Sequence, residues 1–313
     1  MIKTEYRPLV SAVIPTRGRP DLLCRAVRSV LNQTYSNIEV VVVVDGPDHA
    51  TVQTLEALHE PRLSVIALAA SVGGSEARNV GVRNGRGEWI AFLDDDDEWL
   101  PEKLDKQLES VGIAAGEVTF AASQYFDDRD GKTTVQPRLF PSSDQELSEY
   151  LFCEIDLLGR RRGFLQTSTW LVRRQFCLSY PFTSGLKKNQ DTDWLLRSLP
   201  HCREQTNFVA EPLTIFHRHP TIKRISTTLD WEYTYKWAET NRHLFTSRAL
   251  AFLLMTECTR SANRQGSGVT ALAFLWKKAS ESVRHSPRLL LCLGISALHC
   301  FALSAFGKYR IAT

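Results

Sequence analysis

The sequence lacks any cysteine arrangement that would build a metal site. Its seven cysteines, at positions 24, 153, 177, 202, 258, 292 and 300, form no Cys-x-x-Cys pair and no Cys/His cluster of zinc spacing. An odd, dispersed set in a chain this long reads as reduced core cysteine in a cytosolic protein. A secretory leader is also missing: the opening MIKTEYRPLV has no apolar core and no cleavage site, so the expected location is the cytoplasm. Charge of one sign is scarce, with a formal net charge of only +3, and no basic stretch argues for nucleic acid as a partner. No Gly-x-Gly-x-x-Gly follows the first strand-like run, which excludes a dinucleotide-binding opening. No internal repeat and no low-complexity segment interrupts the chain. What remains is an ordinary globular composition, 43% hydrophobic and 23% charged, over 313 residues. That length suits one large domain, or one domain and an appendage.

Two signals alternate through the first hundred residues. Short β-branched runs occupy Val10–Ile14, Ile38–Val44, Leu63–Leu68 and Trp89–Leu93. Between them lie stretches of helical spacing. The clearest is Asp21–Gln33, where Leu22, Ala26 and Val30 share a side with Leu23, Val27 and Leu31, with Asp21 as its expected cap. The others are Thr51–Leu58 and Ser75–Asn84. Strands alternating with helices imply βαβ units and a mostly parallel sheet. Val40–Val44 is apolar on both faces, as a strand covered on both sides must be. Further on, the pattern predicts a helix over 101–111 and a strand over 117–126. A polar hairpin follows at 127–138, around Asp130-Gly131. A pocket-lining strand over 163–173, a helix over 190–198 and a strand over 207–217 complete this part. Beyond about 230 the spacing is helical.

In such sheets ligands bind outside the carboxyl ends of the strands. The residues there are Pro15–Arg19, Asp45–Asp48, Ser71–Arg78 and Asp94–Asp97, rich in carboxylates and arginine. The sharpest is Phe92-Leu93-Asp94-Asp95-Asp96-Asp97. Four successive aspartates repel one another unless something neutralises them. A hard divalent cation, Mn²⁺ or Mg²⁺, does so through carboxylate oxygens. The plainer reading is a solvated acidic turn ahead of the helix that starts near Pro101.

Three blocks then carry a resemblance. VIPTRGRPDLLCRAVRSVLNQTY, VVVVDGPD and GGSEARNVGVRNGRGEWIAFLDDDDEWLPEKL, in that order and spacing, resemble the family 2 glycosyltransferases of GT-A fold, over roughly residues 9–108. A weaker likeness continues through NQDTDWLLR to about 220. The resemblance implies an α/β fold of GT-A type, Rossmann-like, with a mostly parallel sheet flanked by helices and a helical C-terminal appendage. It places the transferase domain at 1–230, with a nucleotide-binding half at about 1–112 and an acceptor half at about 113–230. The helical region is 231–313.

Residue by residue, the resemblance puts Pro15, Thr16 and Arg17 in the loop beside the nucleobase and Asp45 on the base or ribose. Many members have two adjacent acids where this chain has Asp45-Gly46. Arg78 falls near the donor diphosphate. Asp94 and Asp96 match the ends of the Asp-x-Asp motif, Asp96 as the metal ligand and Asp94 on the ribose or a metal-bound water. Asp95 is a further donor contact, and Asp97 is supporting. In Gln190-Asp191-Thr192-Asp193-Trp194, Asp191 matches the general base, while Gln190 stands where an acid is usual. Asp191 as a helix cap is the alternative, and Asp193 a lesser candidate base. His217-Arg218-His219 resembles a family His pattern, and His219 would touch metal or diphosphate. Thr167, Gln190, Asp193 and the tryptophans Trp99, Trp170 and Trp194 are candidate acceptor contacts or supports; each tryptophan is core by default.

The implied chemistry is a metal-assisted single displacement that inverts the anomeric carbon. A nucleotide-sugar, foremost a UDP-sugar, is the donor; a glycan or a lipid-linked molecule is the acceptor. A nucleotidyltransferase of related fold and a non-catalytic nucleotide-sugar-binding scaffold are the rival readings. The first lacks a Gly-rich triphosphate loop, since PTRGRP is a weak match, and leaves Asp191 unexplained. Finally, 289–306 is 18 residues without a formal charge, flanked by Arg284, Arg288, Lys308 and Arg310. Peripheral contact with the inner face of the cell membrane and a buried or partner-facing helix both fit it.

Overall fold

The computed structural model describes residues 7–112, 118–129, 132–155, 162–218 and 231–284. Two compact units divide the chain: Met1–Arg138 with Leu165–Ile222, and Leu139–Phe164 with Lys223–Thr313.

The first unit is built on a nine-stranded sheet. Its strands are β1 (Val10–Thr16), β2 (Ile38–Val44), β3 (Leu63–Ala67), β4 (Trp89–Phe92), β5 (Glu98–Trp99), β6 (Phe120–Arg129), β7 (Lys132–Gln136), β8 (Trp170–Arg173) and β9 (Thr206–Arg218). They run in the order β3-β2-β1-β4-β8-β6-β9-β5, with β7 paired to β6. Pairing is parallel among β1 to β4, as the alternation of strands and helices requires. Beyond β4 it becomes mixed. β8 runs antiparallel to both β4 and β6, and β9 lies parallel to β6 through a register shift near Gln124. The helices of this unit are α1 (Pro20–Leu31), α2 (His49–Glu56), α3 (Gly74–Asn84), α4 (Lys103–Gly112), α6 (Arg174–Ser179) and α7 (Gln190–Ser198).

Every residue of β2 is buried, consistent with its unbroken valine run. α1 places Leu23, Ala26, Val27 and Val30 in the core, joined there by Val40, Val42, Val44, Trp89 and Ala91. Fully burying a leucine or valine side chain contributes about 1.5–3 kcal/mol, so this one helix face is a large share of the unit's stability. The α1 start differs from expectation: the capping position is Arg19, with no side-chain cap, and Asp21 sits inside the first turn. Pro20 at the first helical position sets that boundary, because its fixed φ is pre-organised for a helix and its missing N–H is not needed there.

The second unit is helical in its described residues: α5 (Leu147–Cys153), α8 (Trp231–Thr240), α9 (Ser247–Leu253), α10 (Thr259–Arg264) and α11 (Gly268–Ser282). Thr246 caps α9 by accepting from the Ala249 amide, and its hydroxyl donates to Glu149. Among the described residues no helix is long and apolar enough to cross a membrane. The apolar segment 289–306 lies outside the described residues. The five described cysteines are free, with Cys177, Cys202 and Cys258 buried. Burial pushes the Cys153 and Cys202 thiols up to about 12.

Candidate active site

The parallel register of β1, β2 and β4 brings their carboxyl ends side by side, since Thr16 pairs with Val44 and Val13 with Phe92. Thr16, Asp45 and Asp94 therefore emerge from one edge of the sheet.

Asp45 is 6% exposed, and both its oxygens are engaged. Oδ1 accepts the Val72 amide at 2.6 Å, Oδ2 accepts the Ser71 hydroxyl at 2.9 Å, and the Gly73 amide lies 3.1–3.2 Å from both. Arg17 donates to the same Ser71 hydroxyl at 3.1 Å. Asp45 thus ties the β2 end to the turn that starts α3. Gly46 explains the single acid in this block. Its φ is +106°, and a Cβ there would stand 3.2 Å from the Ser71 amide nitrogen, so a second aspartate would be strained and crowded.

The acidic loop separates its four carboxylates. Asp94 is held by the Arg78 guanidinium at 2.5 Å. Asp95 is 1% exposed, accepts from the Thr16 hydroxyl at 2.7 Å and pairs with Arg19 at 2.7 Å. Burial pushes its carboxyl up to about 7; Arg19 and Thr16 pull against that shift, and Asp96 and Asp94 add to it. Asp96 lies 3.4 Å from Arg19, and its backbone carbonyl accepts from Arg25 at 2.8 Å. Asp97 is wholly buried and accepts from Ser168 at 2.7 Å and Gln166 at 2.8 Å.

One oxygen each from Asp94, Asp96 and Asp97 lies within 4.8 Å of the others. Three hard carboxylate oxygens at that spacing suit a divalent cation of the Mg²⁺ or Mn²⁺ kind. The family resemblance makes Asp95 a donor contact and Asp97 supporting. In the structure Asp95 turns inward onto Thr16 and Arg19, and Asp97 completes the cluster. A run of identical residues carries no signal of which side chain turns which way.

Arg78 joins this loop to the second chemical element. It is 7% exposed, and its other terminal nitrogen donates to Gln190 Oε1 at 2.9 Å. Gln190 in turn donates to the Leu186 carbonyl at 2.7 Å. Asn189 ahead of it has φ 63°, a left-handed turn that asparagine tolerates, and takes the capping position of α7. Asp191 accordingly lies in the first turn of α7 and is not its cap. Burial raises the Asp191 carboxyl above its ordinary range; the Arg78 charge and nearby Thr167 oppose that shift, and Asp94 reinforces it.

The remaining candidates divide sharply. Thr167 is fully buried and faces Asp191. Asp193 is 2% exposed and is taken up by Arg197 of the same helix at 2.8 Å and by the Thr183 hydroxyl, ahead of that helix, at 2.7 Å. Trp194 and Trp170 are fully buried and stack with ring centres 5.0 Å apart, in one cluster with Phe182 and Phe120. Trp99 is 3% exposed and donates its Nε1–H to the Ser168 carbonyl. None of these tryptophans presents a face to a sugar; all three are core. Pro15 is buried within β1. The predicted strand over 163–173 is a strand only from Trp170, because Thr167–Thr169 form a 3₁₀ turn closed by the Gln166 side chain. His219 lies outside the described residues. His217 bonds Glu98 at 2.7 Å. Arg19, Gln166 and Ser168 join the site although no motif of the sequence marks them; for Arg19 the one signal is its place in the Pro15–Arg19 loop.

Comparisons with known proteins bear on the family and the fold. The sequence profile described as glycosyl transferase family 2 matches residues 11–177. The chain is 33% identical over 215 residues to WcaA of Escherichia coli strain K12, named as a colanic acid biosynthesis glycosyl transferase. That match covers 67% of this chain and 72% of the relative. In fold it is similar to residues 1–349 of TarS of S. aureus, solved with UDP-GlcNAc. The TM-score is 0.63 at 16% identity, over 96% of this chain and 91% of that one. It is also similar to the mannosyltransferase PcManGT of Pyrobaculum calidifontis, solved with GDP-Man and Mn²⁺. There the TM-score is 0.54 at 16% identity, over 98% and 89% of the two chains.

Proposed function

The chain belongs to glycosyl transferase family 2 and is a glycosyltransferase, and from that premise we propose that it transfers a sugar, with inversion, from a UDP-sugar to a hydroxyl of a glycan or lipid-linked acceptor. The setting is assembly of a bacterial polysaccharide, supported by the name of the colanic acid relative. The observation that carries the reading is Arg78. It spans from Asp94 in the carboxylate cluster to Gln190, the neighbour of Asp191, so donor and acceptor chemistry meet at one guanidinium.

The residues divide the work. Asp191, raised in basicity by burial, accepts the proton of the attacking hydroxyl. The acceptor oxygen forms its bond to the anomeric carbon as the bond to the nucleoside diphosphate breaks, and the electron pair leaves on the diphosphate. Arg78 supplies charge-assisted hydrogen bonds to that leaving group. Asp94, Asp96 and Asp97 would hold Mn²⁺ or Mg²⁺, with Asp96 the principal ligand. Such a cation, when bound, neutralises charge developing on the phosphates. Thr16, Arg17 and Asp45 frame the nucleoside side, and Asp95, paired with Arg19, keeps the loop in place beneath it. For His219 the proposal is a contact to the metal or the diphosphate. We place the enzyme in the cytoplasm; for 289–306 the two readings are peripheral contact with the inner membrane face and a helix that is buried or faces a partner.

The test is donor turnover across a panel of nucleotide-sugars, with and without Mn²⁺. One donor should be consumed only with metal, and Asp96→Ala should abolish this. Asp191→Asn should lower kcat by about 100- to 10,000-fold while still binding nucleotide. Gln190, a neutral residue beside Arg78, favours the alternative of a non-catalytic nucleotide-sugar-binding scaffold. Metal-dependent nucleotide binding without consumption of any donor, even with lipid and glycan acceptors present, would establish that alternative.

A further inference from the structure

Four polar residues in succession, Gln166, Thr167, Ser168 and Thr169, are buried to 3% exposure or less. Burying that many polar groups is costly unless each is bonded, so their partners indicate what the turn is for. Ser168 Oγ donates to Asp97 Oδ2 at 2.7 Å, accepts the Asp94 amide at 3.0 Å and accepts Gln166 Nε2 at 3.1 Å. A hydroxyl has one proton and two lone pairs, so this one is saturated and its direction is set. Gln166 gives Asp97 Oδ2 a second donor at 2.8 Å and uses its own oxygen to accept the Ser168 amide at 2.8 Å.

The turn is anchored from behind. The Ser168 carbonyl accepts Trp99 Nε1 at 2.8 Å and the Thr214 hydroxyl at 3.3 Å. The Thr169 carbonyl accepts Gln107 at 2.8 Å, and Gln107 accepts from Lys103, a fully buried lysine 4.1 Å from the Trp99 ring centre. The front of the same turn meets two of the three clustered carboxylate residues, and Thr167 faces the proposed base. A turn that only filled the core would have no reason to spend its side-chain donors on the acidic loop.

We infer that Ser168 and Gln166 are positioning residues for cation binding, holding the Asp97 carboxylate and the Asp94 backbone so that the three carboxylates converge. The inference rests on the metal-assisted reading above. Without the Ser168 hydroxyl, Asp97 loses a donor and the Asp94 amide loses its acceptor, so the loop relaxes and the ligands spread. Outer-shell partners of this kind typically govern metal affinity by 10- to 100-fold, roughly the effect expected here.

The experiment uses the full chain as wild type, Ser168→Ala, Gln166→Ala and Asp96→Asn. Free Mn²⁺ is counted by electron paramagnetic resonance, without nucleotide and with UDP, beside thermal melts followed by circular dichroism. Ser168→Ala should bind Mn²⁺ about 10- to 100-fold more weakly with its cooperative melt retained, Gln166→Ala should shift the same way, and Asp96→Asn should lose binding. Donor turnover by Ser168→Ala should return toward the wild-type kcat as Mn²⁺ is raised, which a general loss of structure would not allow. Wild-type affinity in both turn variants overturns the inference and leaves the transferase reading standing. Loss of the fold in both variants also overturns it, since the turn would then be a structural element. A wild type that binds no Mn²⁺ under either condition removes the metal-assisted reading itself.

Discussion

Asp95 and Asp97 are separated by one residue and have different environments. Asp95 is enclosed by Thr16 and Arg19, while Asp97 is enclosed by Gln166 and Ser168 and shares the cluster with Asp94 and Asp96. The acidic loop is legible because charge repulsion and its position after an apolar strand mark it, whereas Asp191 stands out only through the family resemblance of the block Gln190–Trp194. The partners of Asp95 and Asp97 are not legible, because Thr16 and Ser168 lie about 70 to 80 positions distant, and sequence spacing says nothing of such contacts. Glu76 is the same kind of residue outside the site. Burial pushes its carboxyl up, but hydrogen bonds from Ser184 and Asn79 and the charge of Arg83 outweigh that and bring it to about 2. A depressed value means that the stabilisation is complete above the ordinary value of 4.5 and is lost as pH falls toward 2. Glu76→Gln should therefore cost about 1 kcal/mol at pH 7, after allowance for solvent screening, and nothing near pH 2. Urea unfolding at the two pH values checks it.

At the scale of elements, α3 carries Arg78 into the site, and its seating on the sheet depends on a missing side chain. A Cβ added at Gly81 would stand 2.3 Å from Val13 Cγ1. Gly81→Ala gains about 1 kcal/mol of helix propensity yet should cost about 1–3 kcal/mol net through overpacking. Thermal melts should show that loss, and Val13→Ala in the same chain should recover part of it. The helices and strands up to Phe92 were read from periodicity within a few residues, because each has its own apolar face. The sequence pattern predicts strand at the 167–169 turn, because its threonines and serine imitate a β-rich run while being held by side-chain hydrogen bonds.

At the scale of the whole chain, the first unit takes its sheet from both sides of the segment Leu139–Phe164, which belongs to the second. Strand β8 follows that segment in sequence and lies next to β4 in the sheet. The tail beyond Arg284 is where the membrane proposal is tested. Ending the chain after Arg284 removes Arg288, Lys308 and Arg310 with the uncharged run, and should weaken flotation with anionic vesicles while nucleotide binding persists. A basic residue near an anionic surface contributes about 1 kcal/mol, so the loss of three should be well above tenfold. Equal flotation of both chains would assign binding to other surfaces.

By itself the sequence determined the α/β class, the succession of elements to Phe92, and the acidic run Asp94–Asp97 at a strand end; these follow from local periodicity and from the cost of crowding like charge, both of which act over a few neighbouring residues. Arg78 and Asp191 entered as candidates through the family resemblance of their blocks. The tertiary structure alone decided that β8 turns the sheet from parallel to mixed, that Asp97 faces Asp94 and Asp96 while Asp95 turns away, that Trp99, Trp170 and Trp194 are core, and that Gln166 and Ser168 hold the acidic loop. Those outcomes depend on which distant segments are brought together, and burial, donor count and the direction of a side chain exist only once they are.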